Sequence, residues 1–394
     1  MTVSTVPLGK VAEFVRGITF KPADVVEPGE PGSVVCLRTK NVQREVDLDD
    51  LLAVSSAFVK RDNQYLQAGD VLISSANSWN LVGKCSWIPE LPWKASFGGF
   101  VTALRPKTDE VDRRYLYRWF SYGRTQQLLR SFGRKTTNIS NLNLDRCRSM
   151  DFPLPPIEEQ RRIAAVLDAA EALRAKRREA LAKLDTLTEA IFIDMFGDPI
   201  LSDAHPRKTI GSIAEVVTGN TPSRAEAQNY GSDLEWLKSD NIEESGVITE
   251  AAECLSAIGR AKGRVAPVGA SLLVCIAGSP KSIGRVGLLD RQAAFNQQIN
   301  AVIPGDALRP EFLFHQLKAG QRLVRRASTN SMKGMVSKSA LMAVELLVPT
   351  ASEQDTFVQA IAGLAPARDS AVRSAQELDR LFASLQQRAF RGEL

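Results

Sequence analysis

The segment PPIEEQRRIAAVLDAAEALRAKRREALAKLDTLTEAIFIDMFG, residues 155–197, decides how this chain is organised. From Ile157 to Phe196 it contains neither glycine nor proline, and its apolar residues recur at helical spacing. The spacing predicts a long helix, continuous or broken near Ala169–Ala172, that buries one face. Two prolines and two glutamates mark its start, and Gly197 follows its end. The apolar positions are Leu173, Leu181, Leu184, Leu187, Ile191 and Met195.

A second segment of the same length, Ala351–Phe390, predicts a matching helix. Ser352 with Asp355 resembles a capping box at its start, and Gly392 follows its end. Pro366 predicts a kink, or a break into a short and a long helix. The apolar positions here are Val372, Ala375, Leu378, Leu381, Leu385 and Ala389.

The two helical segments belong to a repeat that covers the chain with a period near 200 residues. Each match is short, but the matches keep their order, which indicates a tandem duplication. The matching positions are Leu8-Gly9 with Ile210-Gly211, Gly17 with Gly219, Leu37–Val42 with Leu237–Ile242, Gly69–Ser74 with Gly269–Val274, Tyr115–Tyr117 with Phe312–Phe314, and Pro155, Glu159 and Gln160 with Pro349, Glu353 and Gln354.

The residues before each long helix are punctuated by glycine and proline and contain short strand-like runs. Examples are Val34–Leu37, Val71–Ser74, Phe100–Leu104 and Ser271–Ile276, and shorter helices are predicted near 113–132 and 310–326. The predicted class is α+β, with two tandem mixed, mainly β domains. We expect the long helices to form an antiparallel pair with one domain at each end, related by a pseudo-two-fold axis. Alternatively, each helix packs only on its own domain.

Charge is distributed unevenly. The 394 residues include 50 lysines and arginines and 45 acidic residues, for a net charge of +5. Seven basic and no acidic residues lie between Arg113 and Leu144, and six basic and no acidic residues lie between Phe312 and Val344. Because this pattern occurs in both halves, it indicates two polyanion-binding surfaces that could contact DNA phosphates and base edges. An ordinary solvated helix face is the alternative for either stretch.

Several classes of protein are disfavoured by what the sequence lacks. It has two histidines and no phosphate-binding loop, dinucleotide-binding fingerprint or DNA-aminomethylating tetrapeptide. Its five cysteines form no Cys-x-x-Cys pair, which favours reduced thiols over a disulfide framework or a zinc site. Neither a signal peptide nor a membrane-spanning run is evident. We therefore expect a soluble cytoplasmic protein that has no catalytic residues, metal or cofactor of its own and makes no membrane contact.

Several motifs resemble those of the DNA specificity (S) subunits of type I restriction-modification systems, and the resemblance covers nearly the whole chain. The most specific is the exit into the first long helix, Phe152–Gln160. The others are Gly219–Arg224 with Tyr230-Gly231 and Trp236–Ile242, Gly69–Ser74, Phe295–Gln298 and Asn138–Ser140.

The resemblance implies that residues 1–155 and 200–350 are two target recognition domains, separated by helical regions at 156–199 and 351–394. Each domain would read one half of a bipartite asymmetric site in double-stranded DNA. The helices would set the spacing of the half-sites and dock two methyltransferase (M) subunits, which restriction (R) subunits would join. S-adenosylmethionine, ATP and Mg²⁺ would be bound by those partners, which would methylate adenine or cleave DNA.

The candidate DNA-binding residues are Arg38, Lys40, Asn41, Arg124, Arg130, Arg134, Lys135, Thr136, Asn138, Arg224, Lys238, Asn241, Gln297, Gln298, Arg322, Arg325, Arg326, Lys333 and Lys338. The candidates for helix pairing and partner docking are Glu159, Gln160, Leu181, Leu184, Leu187, Ile191, Glu353, Gln354, Leu378, Leu381 and Leu385. Three alternatives stay open at this point: a specificity subunit of a different restriction-type system, a protein-docking scaffold without DNA binding, and an enzyme with an unrecognised site.

Overall fold

A computed structural model describes residues 4–135, 139–328 and 334–394. The chain forms two compact units. The first unit combines Met1–Ala175 with Gln376–Leu394, and the second is Lys176–Ala375. Both divisions fall inside helices, so the domain bounds expected from the sequence stay predictions.

The first unit is built mainly of short strands. They are β1 (Thr5–Pro7), β2 (Ala12–Arg16), β3 (Val25–Val26), β4 (Ser33–Leu37), β5 (Ala53–Ser55), β6 (Val71–Ser74), β7 (Ala76–Asn77), β8 (Cys85–Trp87), β9 (Ala95–Phe97), β10 (Val101–Pro106), β11 (Gly133–Lys135), β12 (Ser140–Leu142) and β13 (Asp151–Pro153). Its helices are α1 (Leu8–Val11), α2 (Arg113–Phe120), α3 (Gly123–Ser131), α4 (Leu144–Arg148), the start of α5 (Ile157–Phe196) and the end of α12 (Ala365–Ala389).

The second unit follows the same plan. Its strands are β14 (Arg207–Thr209), β15 (Ala214–Thr218), β16 (Tyr230–Gly231), β17 (Leu234–Leu237), β18 (Cys254–Leu255), β19 (Val265–Ala266), β20 (Ser271–Val274), β21 (Val286–Leu288), β22 (Ala293–Phe295), β23 (Ile299–Pro304) and β24 (Glu345–Leu347). Its helices are the end of α5, α6 (Ile210–Ile213), α7 (Ala257–Lys262), α8 (Pro310–Ala319), α9 (Gln321–Arg326), α10 (Lys338–Met342), α11 (Ala351–Ala362) and the start of α12.

Sheet topology confirms the duplication and the predicted α+β class. The first unit has a four-stranded antiparallel sheet in the order β2-β10-β6-β8, and the second repeats it as β15-β23-β20-β21. Each unit also pairs two strands in parallel, β4 with β9 and β17 with β22. The pair β1-β13 recurs as β14-β24. Two tandem mixed domains on one plan are therefore present.

Aromatic side chains dominate both cores. In the first unit Tyr115 and Phe152 are fully buried with their ring centroids 5.7 Å apart. In the second unit the ring centroid of Phe196 in α5 lies 5.0 Å from that of Phe312 in α8 and 5.7 Å from that of Phe357 in α11. Burying each such ring contributes about 1.5–3 kcal/mol to folding. The core rings thereby fix each mixed domain to its helices.

One core position differs between the units. In the first, the Arg105 guanidinium forms a bidentate ion pair with Asp70, at 2.6 and 2.7 Å, and both side chains are buried. Strand register makes Ile303 the equivalent of Arg105, since Glu13 and Glu215 face them across the matching strands. Ala270 follows Gly269 as Asp70 follows Gly69. The second unit thus packs apolar side chains where the first packs charges.

The long helices match the prediction in extent, with corrections. α5 is one continuous helix of 40 residues. The second segment breaks after Ala362, and Pro366 lies in the first turn of α12, where its missing N–H costs nothing. The capping box is formed by Thr350 and Glu353, so the assignment to Ser352 and Asp355 was wrong.

Within each unit the long segments run antiparallel. In the first, Arg174 of α5 pairs with Asp379 of α12 at 2.5 Å, and Arg162 donates to the Leu394 carbonyl at 2.7 Å. In the second, Asp185 pairs with Arg368 at 3.5 Å. The two ion pairs are the same contact of the repeat with the helices exchanged. No helix in the described part of the chain is long and apolar enough to span a membrane.

Candidate nucleic-acid interface

A short turn occupies the same place in both units, between β9 and β10 and between β22 and β23. The Phe100 carbonyl accepts hydrogen bonds from the backbone N–H groups of Ser75 and Ala76, at 3.0 and 3.2 Å. The Gln298 carbonyl accepts equivalent bonds from Cys275 and Ile276, at 2.8 and 3.1 Å. Phe100 and Gln298 are therefore structural equivalents, although one is aromatic and the other an amide.

Glycine is required beside each turn. A Cβ at Gly17 would lie 2.3 Å from the carbonyl oxygens of Phe97 and Gly98. A Cβ at Gly219 would lie 2.2 Å from the Asn296 carbonyl. No side chain fits at such distances, which explains the Gly17–Gly219 match found in the sequence.

Each turn adjoins the basic stretch of its own unit. In the first unit Ala76, which bonds the Phe100 carbonyl, also pairs with Asn141 of β12, and Asn141 pairs with Arg134 of β11. In the second, Ile276 forms a bridge with Met335. The predicted residues Thr136, Asn138 and Lys333 lie outside the described residues, and the side chains of Arg134 and Lys135 are likewise not described.

The second turn presents two glutamines. Gln297 is exposed, and its Oε1 accepts a hydrogen bond of 2.5 Å from the Thr221 hydroxyl. Gln298 Oε1 accepts from the Asn296 amide at 2.9 Å and the Ser239 hydroxyl at 3.1 Å. Within the described residues neither Nε2 amide donates a hydrogen bond, so both can serve an external acceptor. The structure thus places two of the predicted readers side by side.

A cluster of cations and aromatic rings lies on the same unit. The Arg224 guanidinium is 5.1 Å from the ring centroid of Tyr230 and 5.4 Å from that of Trp236. The Lys238 Nζ atom is 5.1 Å from the ring centroid of Trp236. Hydrogen bonds from Lys238 and Arg224 lower the pKa of Glu253. Arg224 and Lys238 are therefore already neutralised in part, and DNA phosphates would compete with that carboxylate.

The matching segment of the first unit, Leu37–Val42, also carries paired cations, of which Arg38 is the equivalent of Lys238. Arg38 lies 3.4 Å from a carboxylate oxygen of Asp50, and Lys40 contacts the same carboxylate. Asn41 between them is fully buried. Its Oδ1 accepts from the Arg38 N–H at 2.8 Å, and its Nδ2 donates to the Asp47 and Asp50 carbonyls.

Asn241 repeats this arrangement, accepting from the Lys238 N–H at 2.9 Å and donating to the Glu250 carbonyl at 3.0 Å. Both asparagines therefore use their side-chain amides to hydrogen-bond the backbone of the loop in which they lie. The prediction that Asn41 contacts DNA has no support in this geometry, because no part of its side chain is exposed.

The remaining basic candidates divide into exposed and occupied side chains. Arg325 donates to the carbonyls of Lys281 and Ile283, at 2.6 and 3.1 Å, and so supports a loop. Arg130 is half-buried. The exposed ones are Arg124, Arg322, Arg326 and Lys338.

The first part of the basic stretch faces a helix. Arg114 and Arg118 both bond Asp168 of α5, at 2.8 and 2.6 Å. Arg118 is buried. These charges therefore orient α2 on α5, and the expected polyanion surface is restricted to the later residues of the stretch.

Two predicted docking residues form hydrogen bonds inside the protein instead. Gln160 is buried; its Oε1 accepts from the Asp112 N–H at 2.9 Å, and its Nε2 donates to the carbonyls of Glu110 and Pro155 at 2.7 and 2.8 Å. Gln354 forms the same three bonds, with the Arg309 N–H, the Ala307 carbonyl and the Pro349 carbonyl. Gln160 fixes the start of α2 on α5, and Gln354 fixes the start of α8 on α11. Their docking role, as predicted from the sequence, has no support in this geometry.

The other docking candidates vary in exposure. Glu159 pairs with Arg162, and Glu353 caps α11. Leu187 and Leu381 are exposed, at 44% and 50%. The half-buried candidates are Leu181, Leu184, Ile191, Leu378 and Leu385.

Residues 2–183 and 206–364 match the family model for the type I restriction modification DNA specificity domain. The chain belongs to this family. The resemblance inferred from the sequence motifs is thereby confirmed, and the chain is a type I specificity subunit. The match covers both copies of the repeat, which agrees with the duplicated topology.

Two curated specificity subunits illustrate the relationship. The EcoKI subunit of Escherichia coli (strain K12) is 25% identical over 434 residues, covering 98% of this chain and 88% of that subunit. The StySPI subunit of Salmonella potsdam is 30% identical over 169 residues, which cover 42% of this chain and only 35% of that protein.

One solved structure supports the fold. The type I S subunit from M. genitalium shares it at a TM-score of 0.52 and 12% identity, with 99% of this chain and 96% of that one covered. The HsdS subunit from Thermoanaerobacter tengcongensis is 17% identical with a TM-score of 0.38, covering 99% of this chain and 97% of that one.

Phe100 was not among the residues predicted from the sequence to contact DNA. Gly98-Gly99 stands in the first half where Asn296-Gln297 stands in the second, and the next residue along places Phe100 opposite Gln298. The candidate DNA contacts as a set stay predictions.

Proposed function

We propose that this chain reads a bipartite, asymmetric sequence in double-stranded DNA, with one half-site for each mixed domain. The observation that carries the proposal is the repeated turn beside a basic stretch, with Phe100 in one unit and Gln298 in the other. Two domains of one plan with different side chains at one equivalent position, exposed in Phe100 and half-buried in Gln298, suit two different half-sites. Exposed Arg124, Arg322 and Arg326 would add contacts to phosphates, which supply affinity without sequence preference.

Partner subunits would perform the chemistry. We propose that the long helices dock two M subunits, joined by R subunits, and that these partners bind S-adenosylmethionine, ATP and Mg²⁺. Exposed Leu187 and Leu381 on α5 and α12 give those helices apolar surface that a partner would cover. The present chain would contribute recognition and no catalytic residue.

Genome-wide detection of methylated adenine tests the proposal. We expect a bipartite motif with two unlike halves to vanish when the gene is deleted and to return with the intact gene. An unchanged methylation pattern would refute it. A DNA-binding assay at several salt concentrations, with and without M subunits, distinguishes a DNA-reading subunit from a protein scaffold. A scaffold that makes no DNA contacts would leave the sequence specificity of the M subunits unchanged.

A further inference from the structure

We propose that Phe100 reads the first half-site through an apolar contact with the C5-methyl group of a thymine. The inference rests on the proposed function and deepens it, since it assigns a base and a residue to one domain. Gln298 is the polar counterpart in the second domain. The two domains would therefore differ in the kind of contact as well as in sequence.

Exposure and position single out Phe100. Its side chain is 64% exposed, although its backbone carbonyl is fixed by Ser75 and Ala76. A rigidly held turn that projects an aromatic ring to solvent loses little conformational freedom on binding. Because the same two backbone bonds hold Gln298, the position is defined by the fold and the side chain is free to vary.

The surroundings of Phe100 suit an apolar group of DNA. The ring lines a cavity of about 550 Å³ together with Ile18, Phe20, Leu52 and Val101, and among the described residues no carboxylate lines it. Thymine carries the only apolar group in the major groove, and aromatic side chains can contact it. Gly98 and Gly99 add no side chain next to the ring, so a base edge can approach the turn.

Basic residues lie on the segments connected to this turn. The turn is joined by backbone hydrogen bonds to β7, which pairs with β12, and β12 pairs with the strand that carries Arg134 and Lys135. Arg38 also lines the cavity. An apolar ring that shares its cavity with Arg38, on a turn joined through the sheet to a strand of basic sequence, favours a nucleic-acid ligand over a purely apolar protein surface.

Uracil substitution provides the test. The complex with M subunits is measured against duplexes of its mapped target, with each thymine of the first half-site replaced in turn by uracil, which removes only the C5-methyl group. We expect one position at which the wild type loses about four-fold in affinity, as for one buried methyl group. Phe100→Ala should be insensitive to uracil at that position and sensitive to base changes in the second half-site.

The matched control is Gln298→Ala, which should keep the uracil sensitivity of the first half-site and alter preference in the second. Leu201→Ala, at an apolar side chain that is 76% exposed, should change neither. Thermal unfolding of Phe100→Ala should match the wild type because the ring is largely exposed.

Three outcomes would overturn the inference while leaving the proposed function intact. Phe100→Ala could retain the uracil sensitivity. It could weaken binding equally to methylated and unmethylated pyrimidines, as a wedge between base pairs would. It could also reduce association with M subunits without changing base preference, which would make Phe100 a protein contact. Failure of the wild type to prefer any bipartite site would instead refute the proposed function itself.

Discussion

Replacing Asp70 with alanine would leave the Arg105 guanidinium charged and without its carboxylate in the core of the first unit. The same pair of positions in the second unit holds Ala270 and Ile303, so the duplicated chain already contains an apolar solution to this packing problem. We therefore predict that Asp70→Ala and Arg105→Ile are each severely destabilising and that the double variant is much less so.

The magnitude follows from the contacts. Removing one partner of a buried ion pair costs about 3–5 kcal/mol, because the other charge stays buried without compensation. The double variant removes both charges, and its remaining loss comes from three hydrogen bonds. Arg105 donates to the carbonyls of Asn63 and Tyr65 at 2.7 and 2.6 Å, and Asp70 accepts from the Gln67 N–H at 2.9 Å. At about 1 kcal/mol for each bond, we expect a total near 3 kcal/mol. The coupling between the two substitutions should then be at least about 3 kcal/mol.

A urea titration followed by tryptophan fluorescence measures these values. Four of the five tryptophans, Trp79, Trp87, Trp93 and Trp119, belong to the first unit, so the signal reports mainly its unfolding. A double variant as unstable as the worse single variant would refute the reasoning. Ala270→Asp with Ile303→Arg provides the reciprocal exchange in the second unit.

Three further predictions concern other parts of the molecule. Gln160→Ala and Gln354→Ala should each reduce the free energy of unfolding by about 2–4 kcal/mol, because three hydrogen bonds are lost at each site; urea titration checks this. Burial, with Lys318 and Arg368 nearby, lowers the pKa of His315 to about 3. Unfolding restores the ordinary imidazole pKa of about 6.5. As the pH falls below 6.5, the contribution of His315 to the free energy of unfolding should therefore fall by up to about 1.4 kcal/mol per pH unit. Thermal unfolding at a series of pH values measures this loss, which should be absent in His315→Phe. Inserting four residues in both α5 and α12 should lengthen the spacer of the methylated motif and leave its half-sites unchanged.

Each of these has a defined contrary result. Gln127 is exposed, and Gln127→Ala is the control for the glutamine variants; equal small losses would remove the structural role of Gln160. His315→Phe with unaltered acid sensitivity between pH 6.5 and 4 would contradict the buried neutral imidazole. Altered half-sites with a constant spacer would contradict the view that helix length sets the spacer.

Elements defined by local pattern were predictable. The continuous α5 follows from forty residues without glycine or proline, and the duplication follows from matches such as Gly17 with Gly219. Side-chain partners were not predictable, because they depend on residues far along the chain. Arg118 counts as part of a basic stretch, yet its partner Asp168 lies 50 residues away. Gln160 likewise looked available for docking because its three partners are set by tertiary contacts.

Because the first unit combines both ends of the chain, its folding during synthesis can finish only when translation ends. Its core includes Phe382 and Ala389, and the Phe390 ring lies 5.8 Å from that of Tyr115. Residues 376–394 leave the ribosome only after the whole second unit has been made. The half that is translated first is therefore the half that finishes folding last. Until then the face of α5 that α12 covers stays open, and a nascent chain has a period in which a chaperone or another copy's helix could occupy it.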